Sequence, residues 1–361
     1  MNITSPKYTN NPQKNISFKG YDARPLKYLI MRDSHMVNTT PIAKVIERIG
    51  DKHGFKMIFE GYDILTKIPS DKFNTRMIAP WIQDYIHVLK DKLITVGGFN
   101  RPDKIEKFFN RPIENISCEN FVKGGNMFFV KKGDKDIIIV GNDDCVKAMK
   151  TFKKHDIVQI PQADYHIDLF LRPLRDGKIV VADDKLMLEI LKNARKNLAK
   201  EYDLSTDEQL LKLDYLIKSM KNAIDHSHYK STEKVISKLE KEGFSVIRVP
   251  GRIIKNYNVP EIKNILNFTN AIVHEDQNGE LVYITNHSDL VKSLGIDKKL
   301  ANKIGLNLEK IFKESLNGYI KPQNIYFVKG GKAPESNLDF VLRSYDGGIH
   351  CLCCEVPANI V

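Results

Sequence analysis

HIDLFLRPLRDGKIVVADDKLMLEILKNA, residues 166–194, decides how this chain folds. One strand runs into a turn at Asp176–Gly177, and the β-branched strand KIVVA follows. After an acidic break at Asp183–Asp184 the pattern becomes amphipathic. That order predicts a hairpin whose second strand feeds a helix.

The same unit recurs along the chain, and internal repetition constrains a fold more than any single segment. It begins again at Asn126 (NMFFVKKGDKDIIIVGNDDCVKAMKTF), with a turn at Gly133–Asp134 and a helix after Asp143–Asp144. Another copy begins at Asn270 (NAIVHEDQNGELVYITNHSDLVKSLG), where Asn278–Gly279 is a strong two-residue hairpin signal. A weaker copy begins at Trp81 (WIQDYIHVLKDKLITVGG) and is followed by DKIEKFF. Between copies lie the short strands HDIVQI, FSVIRV and NIYFV, so the full unit reads ββαβ. Such units need neighbours to bury their apolar faces, and a closed ring is the economical arrangement. The fold class is therefore α/β, one domain over 21–361. A mostly helical insertion spans about 185–242, where Leu210, Leu213, Ile217, Met220 and Ile224 form a packing stripe and Ser205 with Glu208 forms a capping box. Residues 1–20, rich in Asn, Thr, Ser and Lys, read as a disordered arm.

Composition narrows the function classes. The 361 residues are 42% hydrophobic, enough for a substantial core without disulfides. The five cysteines have no regular spacing, the N-terminus lacks the apolar core of a signal peptide, and no apolar run is long enough to span a bilayer. A soluble protein of the reducing cytoplasm is expected. The net charge of +11 comes from scattered lysines rather than a basic block with interleaved aromatics, so a nucleic-acid groove is disfavoured, while acidic protein partners suit such a surface.

If the units form a ring, the start of each first strand points at a shared centre. Those starts carry Asp84, Asn126, His166 with Asp168, Asn270 and the His350–Cys351 pair, all polar or reactive where apolar strand residues are expected. In an extended strand His166 and Asp168 share a face. H-x-D equally suits the outer face of an edge strand, and Trp81 and Asp84 taken alone suit core and turn. GGN at 124–126 lacks the pattern of a phosphate loop. In YDGGIHCLCCEVP, residues 345–357, two glycines permit a tight bend that leaves Cys351 approachable. His350, as its neighbour on an extended segment, is expected to face away and be structural. Zinc usually takes two separated ligand pairs, which Cys118 and Cys145 do not supply, and Cys353 and Cys354 read as packing residues. His226 and His228 read as a polar loop after a helix end.

WIQD, GGN, HID and GGIHC, in that order on successive repeats, resemble the guanidino-group-modifying (pentein) enzymes, which are five-bladed α/β propellers. The resemblance runs from about Arg76 to the C-terminus and is greatest to the peptidylarginine deiminase catalytic domain. Two departures mark it. Lys123 stands where arginine and agmatine deiminases carry Glu in an E-G-G motif, and Gln83 precedes Asp84 where agmatine enzymes carry Arg. GGIHC is equally similar to agmatine deiminase. The resemblance implies Asp84, His166, Asp168 and Cys351 as catalytic residues and Trp81, Arg101, Asn126 and Asn270 as substrate contacts. It implies hydrolysis of peptidyl- or protein-arginine to citrulline and ammonia, with agmatine or free arginine as alternative substrates. An amidinotransferase and a catalytically silent binding scaffold are the remaining alternatives. No metal or cofactor is required. Some peptidylarginine deiminases need calcium, but no EF-hand spacing appears here.

Overall fold

The computed structural model describes residues 24–32, 37–60, 81–89, 91–96, 108–132, 135–153, 155–201, 208–226, 232–251, 266–333, 337–338, 341–342 and 347–358. The Gly133–Asp134 turn, Ser205, His228 and most of DKIEKFF lie outside them.

Five three-stranded sheets form among these residues, each built on one plan. A first strand pairs antiparallel with a middle strand, and the middle strand pairs in parallel with an outer one. β3 (Ile86–Val88), β4 (Leu93–Val96) and β5 (Ile113–Ile116) make one blade. β6 (Met127–Lys132), β7 (Lys135–Gly141) and β8 (Asp156–Ile160) make the next. β9 (Leu171–Pro173), β10 (Lys178–Ala182) and β11 (Ser245–Val249) follow, then β12 (Ile272–Glu275), β13 (Leu281–Asn286) and β14 (Ile325–Val328). Middle strands are the most apolar because both faces are covered: Ile137, Ile138, Ile139 and Val140 are all buried in succession.

The fifth blade is assembled from the two ends of the chain. β15 (Cys353–Pro357) runs antiparallel to β1 (Leu26–Arg32), which pairs in parallel with β2 (Lys56–Glu60). Between β1 and β2, helix α1 (Thr40–His53) buries Ile42, Ile46 and Ile49 at helical spacing. These ends and the four internal copies complete a five-bladed α/β propeller.

The hairpin turns differ in kind. Asp176 and Gly177 both have left-handed φ, 61° and 67°, in a loop of residues 175–177 closed by the Leu174 N–H to the Lys178 carbonyl (2.7 Å). Asn278–Gly279 does not form the two-residue turn its sequence suggests. Asp276 takes over: its carboxylate accepts from the backbone of Asn278 (2.9 Å) and Glu280 (3.0 Å), and its carbonyl from Gly279 (2.9 Å), closing a longer loop.

Helix α2 (Cys145–Thr151) serves the β6–β8 blade. The insertion is narrower than 185–242. Helices α3 (Asp184–Glu201) and α4 (Glu208–His226) pack Met187, Leu191, Leu198, Leu213 and Met220 in one cluster with Leu294, Ile304 and Phe312 of the next blade. Helix α5 (Thr232–Lys241) instead sets Val235, Ile236 and Leu239 among Ile139, Ile160 and Val181, so it is the helix of its own ββαβ unit. Helices α6 (Leu290–Ser293), α7 (Lys298–Ile304) and α8 (Leu308–Ser315) occupy that place after β13.

Leu29 sits fully buried at the centre of β1, in one cluster with Ile46 and Ile284. Leu29→Ala should lower unfolding stability by about 3 kcal/mol, the ordinary cost of a core Leu→Ala cavity. Urea denaturation followed by circular dichroism measures it, and a loss under about 1 kcal/mol would show that this blade is not tightly closed.

Candidate active site

The starts of the five first strands converge, though not as strand residues. Ile82–Asp84, Gly124–Asn126 and Ile167–Leu169 are single 3-10 turns preceding β3, β6 and β9, and 349–352 form a turn before β15. His166 is extended (φ −129°, ψ 147°) while Asp168 lies within its turn, so the two do not share the face of a strand. They meet instead across Gly125. A Cβ built there would fall 2.5 Å from His166 Nδ1 and 3.1 Å from Asp168 Oδ2, so only glycine lets this backbone approach.

Asp168 is the hub. Its Oδ2 accepts from Gln83 Nε2 (2.9 Å), His350 Nδ1 (2.8 Å) and the Cys351 thiol (3.4 Å), while Asp84 Oδ1 accepts from the Gly125 amide (3.4 Å). Asp168 Oδ1 and both ring nitrogens of His166 are buried with no hydrogen-bond partner among the described residues. Groups of that kind are expensive to leave unsatisfied and mark a place where a ligand makes the missing bonds.

The charges are graded. Burial works to raise the Asp168 carboxyl, but the bond and charge of His350, the His166 charge and the Gln83 bond outweigh it and hold it below the usual carboxylate range. Asp84 goes the other way: burial, reinforced by Asp168, lifts its carboxyl against the pull of His166 and Lys123. Burial and the two carboxylates push the Cys351 thiol well above its ordinary value, despite the 3.1 Å bond that Asn270 Nδ2 donates to Sγ. Cys351 is thus held as a thiol, in a site electrostatically suited to a cation.

The 349–352 turn overturns the expectation for His350. The segment is not extended, so His350 and Cys351 both reach Asp168 rather than opposite faces. The turn is closed by Leu352 N–H to the Gly348 carbonyl (3.2 Å) and Cys353 N–H to the His350 carbonyl (3.0 Å). Two asparagines hold it from outside. Asn270 Oδ1 accepts from the backbone of His350 (2.8 Å) and Cys351 (3.3 Å), and Asn286 Oδ1 from Ile349 (2.9 Å).

The expected substrate contacts are therefore redistributed. Asn270 positions the cysteine loop. Asn126 donates to Asp144 (3.0 Å) and accepts from Gln162 (2.9 Å), so both ends of its amide are bound within the protein. Trp81 packs on the same loop, with a Cβ at Gly347 falling 2.6 Å from its ring. Arg101 lies outside the described residues. Gln83 and His350 are the site residues that the reading of the sequence missed, and the signal for Gln83 was its place beside Asp84 in WIQD. Cys353 and Cys354 are buried in two separate apolar clusters.

Among the described residues no group of three His, Cys, Asp or Glu side chains is arranged to hold a metal ion, and no helix is long and apolar enough to cross a membrane. Asp144 is engaged by Asn126 and Lys147 (2.8 Å), and Asp183 caps α3 and pairs with Arg248 (2.9 Å).

No family model and no curated protein matches the sequence. Solved structures do match the fold. The chain is similar to C. jejuni agmatine deiminase at 14% identity and a TM-score of 0.52, covering 96% of this chain and 98% of that one. An amidinotransferase of the saxitoxin biosynthetic pathway from Microseira wollei matches at 11% identity and 0.49, covering 95% and 97%. A dimethylarginine dimethylaminohydrolase (DDAH) from Pseudomonas aeruginosa matches at 12% and 0.37, covering 78% and 96%. The fold is that of the guanidino-group-modifying enzymes.

A buried thiol whose ionisation two carboxylates oppose should react slowly with a neutral reagent. Iodoacetamide at pH 7.5 should modify exposed Cys118 before Cys351, and the rate at Cys351 should keep rising above pH 9. Peptide mapping by mass spectrometry follows both; prompt modification of Cys351 at neutral pH would show a standing thiolate.

Proposed function

We propose that this protein hydrolyses the guanidinium group of arginine, in peptides or proteins, to a ureido group and ammonia. The reading rests on one observation: Asp168 Oδ1 and both nitrogens of His166 are buried without partners beside a thiol whose ionisation is opposed by two carboxylates. A guanidinium supplies what each lacks, namely planar N–H donors for the carboxylates and a positive charge beside the sulfur.

The guanidinium binds between Asp84 and Asp168, and its charge favours transfer of the Cys351 proton to His166. The thiolate attacks the central carbon to form a C–S bond. His166 returns its proton to the leaving nitrogen of this tetrahedral adduct, the C–N bond breaks, and ammonia departs, leaving a thiouronium intermediate on the sulfur. His166, neutral again, takes a proton from water as the oxygen adds to that carbon. Breakage of the C–S bond then releases citrulline, or its analogue, and restores the cysteine. Water is the sole co-reactant, and the scheme calls for no cofactor.

Lys123 favours the peptidyl reading. It is exposed, stands two residues before Gly125, and its charge acts on Asp84. A cation near the site disfavours agmatine, whose far end is an ammonium, relative to a peptide that carries no charge there. The fold shared with C. jejuni agmatine deiminase supports deimination of agmatine as the second reading.

Purified protein should release ammonia and a ureido product from an arginine peptide faster than from agmatine or free arginine. Cys351→Ala should lose at least about a thousandfold, since removal of a covalent nucleophile typically costs that much or more, while Cys353→Ala keeps most of the rate. Absence of product from all three substrates with reduced protein sinks the hydrolase reading. A preference for agmatine replaces the peptidyl one.

A further inference from the structure

The two oxygens of Asp168 have different surroundings. Oδ2 accepts from Gln83, His350 and Cys351, while Oδ1 meets no donor among the described residues. The terminal torsion of an aspartate is soft. A carboxylate held on one side alone would turn to share its donors between both oxygens, and the unpaired one would lose its aim.

His350 is built to prevent that turn. Its backbone amide is fixed by Asn270 (2.8 Å), and its ring lies against Phe128 with centroids 5.5 Å apart. Phe128 in turn lies under the Arg172 guanidinium (5.3 Å), which is paired with Glu355 (2.7 Å) and is itself fully buried. The imidazole is thus braced through an aromatic ring by a buried ion pair drawn from β9 and β15.

His350 and Gln83 also form a partition. A cavity of about 80 Å³ is lined by residues of β3 and β15 together with Gln83 and His350. Its lining includes none of Asp84, His166, Asp168 or Cys351. That space holds a few water molecules and no arginine side chain.

We propose that His350 is a positioning residue: with Gln83 it pins Asp168 Oδ2, screens it from the water of this cavity, and so presents Oδ1 to an incoming guanidinium in one fixed direction. The inference rests on the guanidinium reading of the site and adds to it a histidine other than His166. It concerns the binding and orientation of a cation, not proton transfer.

The test uses two alkylating reagents of the same size, cationic 2-chloroacetamidine and neutral 2-chloroacetamide. With either, the Cys351 sulfur displaces chloride, forms a thioether and releases its proton. Peptide mapping gives the rate at Cys351 for each. In the intact protein the cation should react about a hundredfold faster or more, the scale of a charge-assisted bond with a carboxylate.

His350→Phe fills the space but donates nothing, and should cut that preference, the ratio of the two rates, about tenfold. His350→Asn keeps a donor near Nδ1 and should retain most of the preference. Should His350→Phe fail to fold, Gln83→Leu removes the second donor to the same oxygen and should show the same loss of preference.

A preference kept in the donor-free variants overturns the positioning role while leaving the guanidinium reading standing. Equal losses with both reagents also overturn it, because they mark damage to the fold or to the sulfur. No preference in the intact protein overturns the guanidinium reading and this inference with it.

Discussion

The pairing of the last strand with the first is the constraint on which the rest depends. Met31 stands opposite Cys353, Ile30 opposite Cys354 and Leu29 opposite Glu355, and the Ala358 amide bonds the Pro25 carbonyl (2.7 Å) just beyond. Without it the ring would present two open strand edges. With it, the turn before β15 is delivered to the axis, where the loops of the other blades wait. Joining ends so far apart is less costly than it looks, because loop entropy grows with the logarithm of length: a tenfold longer loop adds only about 2 kcal/mol. Fully buried Leu29, Ile30 and Met31 recover that several times over.

Closing the ring forces polar groups inward, and the fold handles them in two layers. The deeper layer is neutralised internally, with Arg172 gripping Glu355 through both carboxylate oxygens (2.7 and 2.9 Å) and lying over Phe128. A pair this buried contributes little net stability, since desolvation offsets most of the attraction, but it ties β9 to β15 across two blades. In the upper layer Asp84 and Asp168 have no Arg or Lys among the described residues bonded to them. The hydrogen bonds and the histidine charges hold the Asp168 carboxyl below the usual carboxylate range, while burial and the charge of Asp168 raise that of Asp84. Negative charge is thereby concentrated on Asp168, beside the sulfur.

Much of this was legible in the sequence, and the failures share a cause. Strand alternation and turn residues are local signals, so the hairpins at Asn126, His166 and Asn270 and the third strands HDIVQI, FSVIRV and NIYFV could be read directly. The candidate site positions stood out because polar residues recurred where apolar ones belonged. What local patterning cannot carry is the conformation of the turn between blades. Treating 166–168 and 350–351 as extended placed His166 and Asp168 side by side for the wrong reason and sent His350 to the wrong face. The asparagines were misread in the same way. Asn126 and Asn270 sit at the repeat's privileged position, yet Asn126 ties its blade together through Gln162 and Asp144 and Asn270 holds the cysteine loop. Nor does any nearby residue announce that Asp276 rather than Asn278–Gly279 shapes its hairpin. The fifth blade was given by the family resemblance and not by the repeat, because its strands lie at opposite ends of the chain.

The raised thiol of Cys351 fits the proposed chemistry better than a permanently activated one would. A nucleophile next to two carboxylates pays an electrostatic penalty for ionising, and burial adds to it. One positive charge about 4 Å away is worth about 4 kcal/mol at an effective dielectric constant of 20, equivalent to about three units of thiol pKa. A bound guanidinium therefore relieves the penalty at the moment its own carbon comes within reach. Neutral molecules entering the same space would leave the sulfur protonated. In the proposed chemistry the carboxylates that receive the cation are the ones that hold the thiol down, so recognition and activation share one interaction. A lysine or arginine placed in the protein to lower the thiol would have abolished that coupling and competed with the substrate for Asp168.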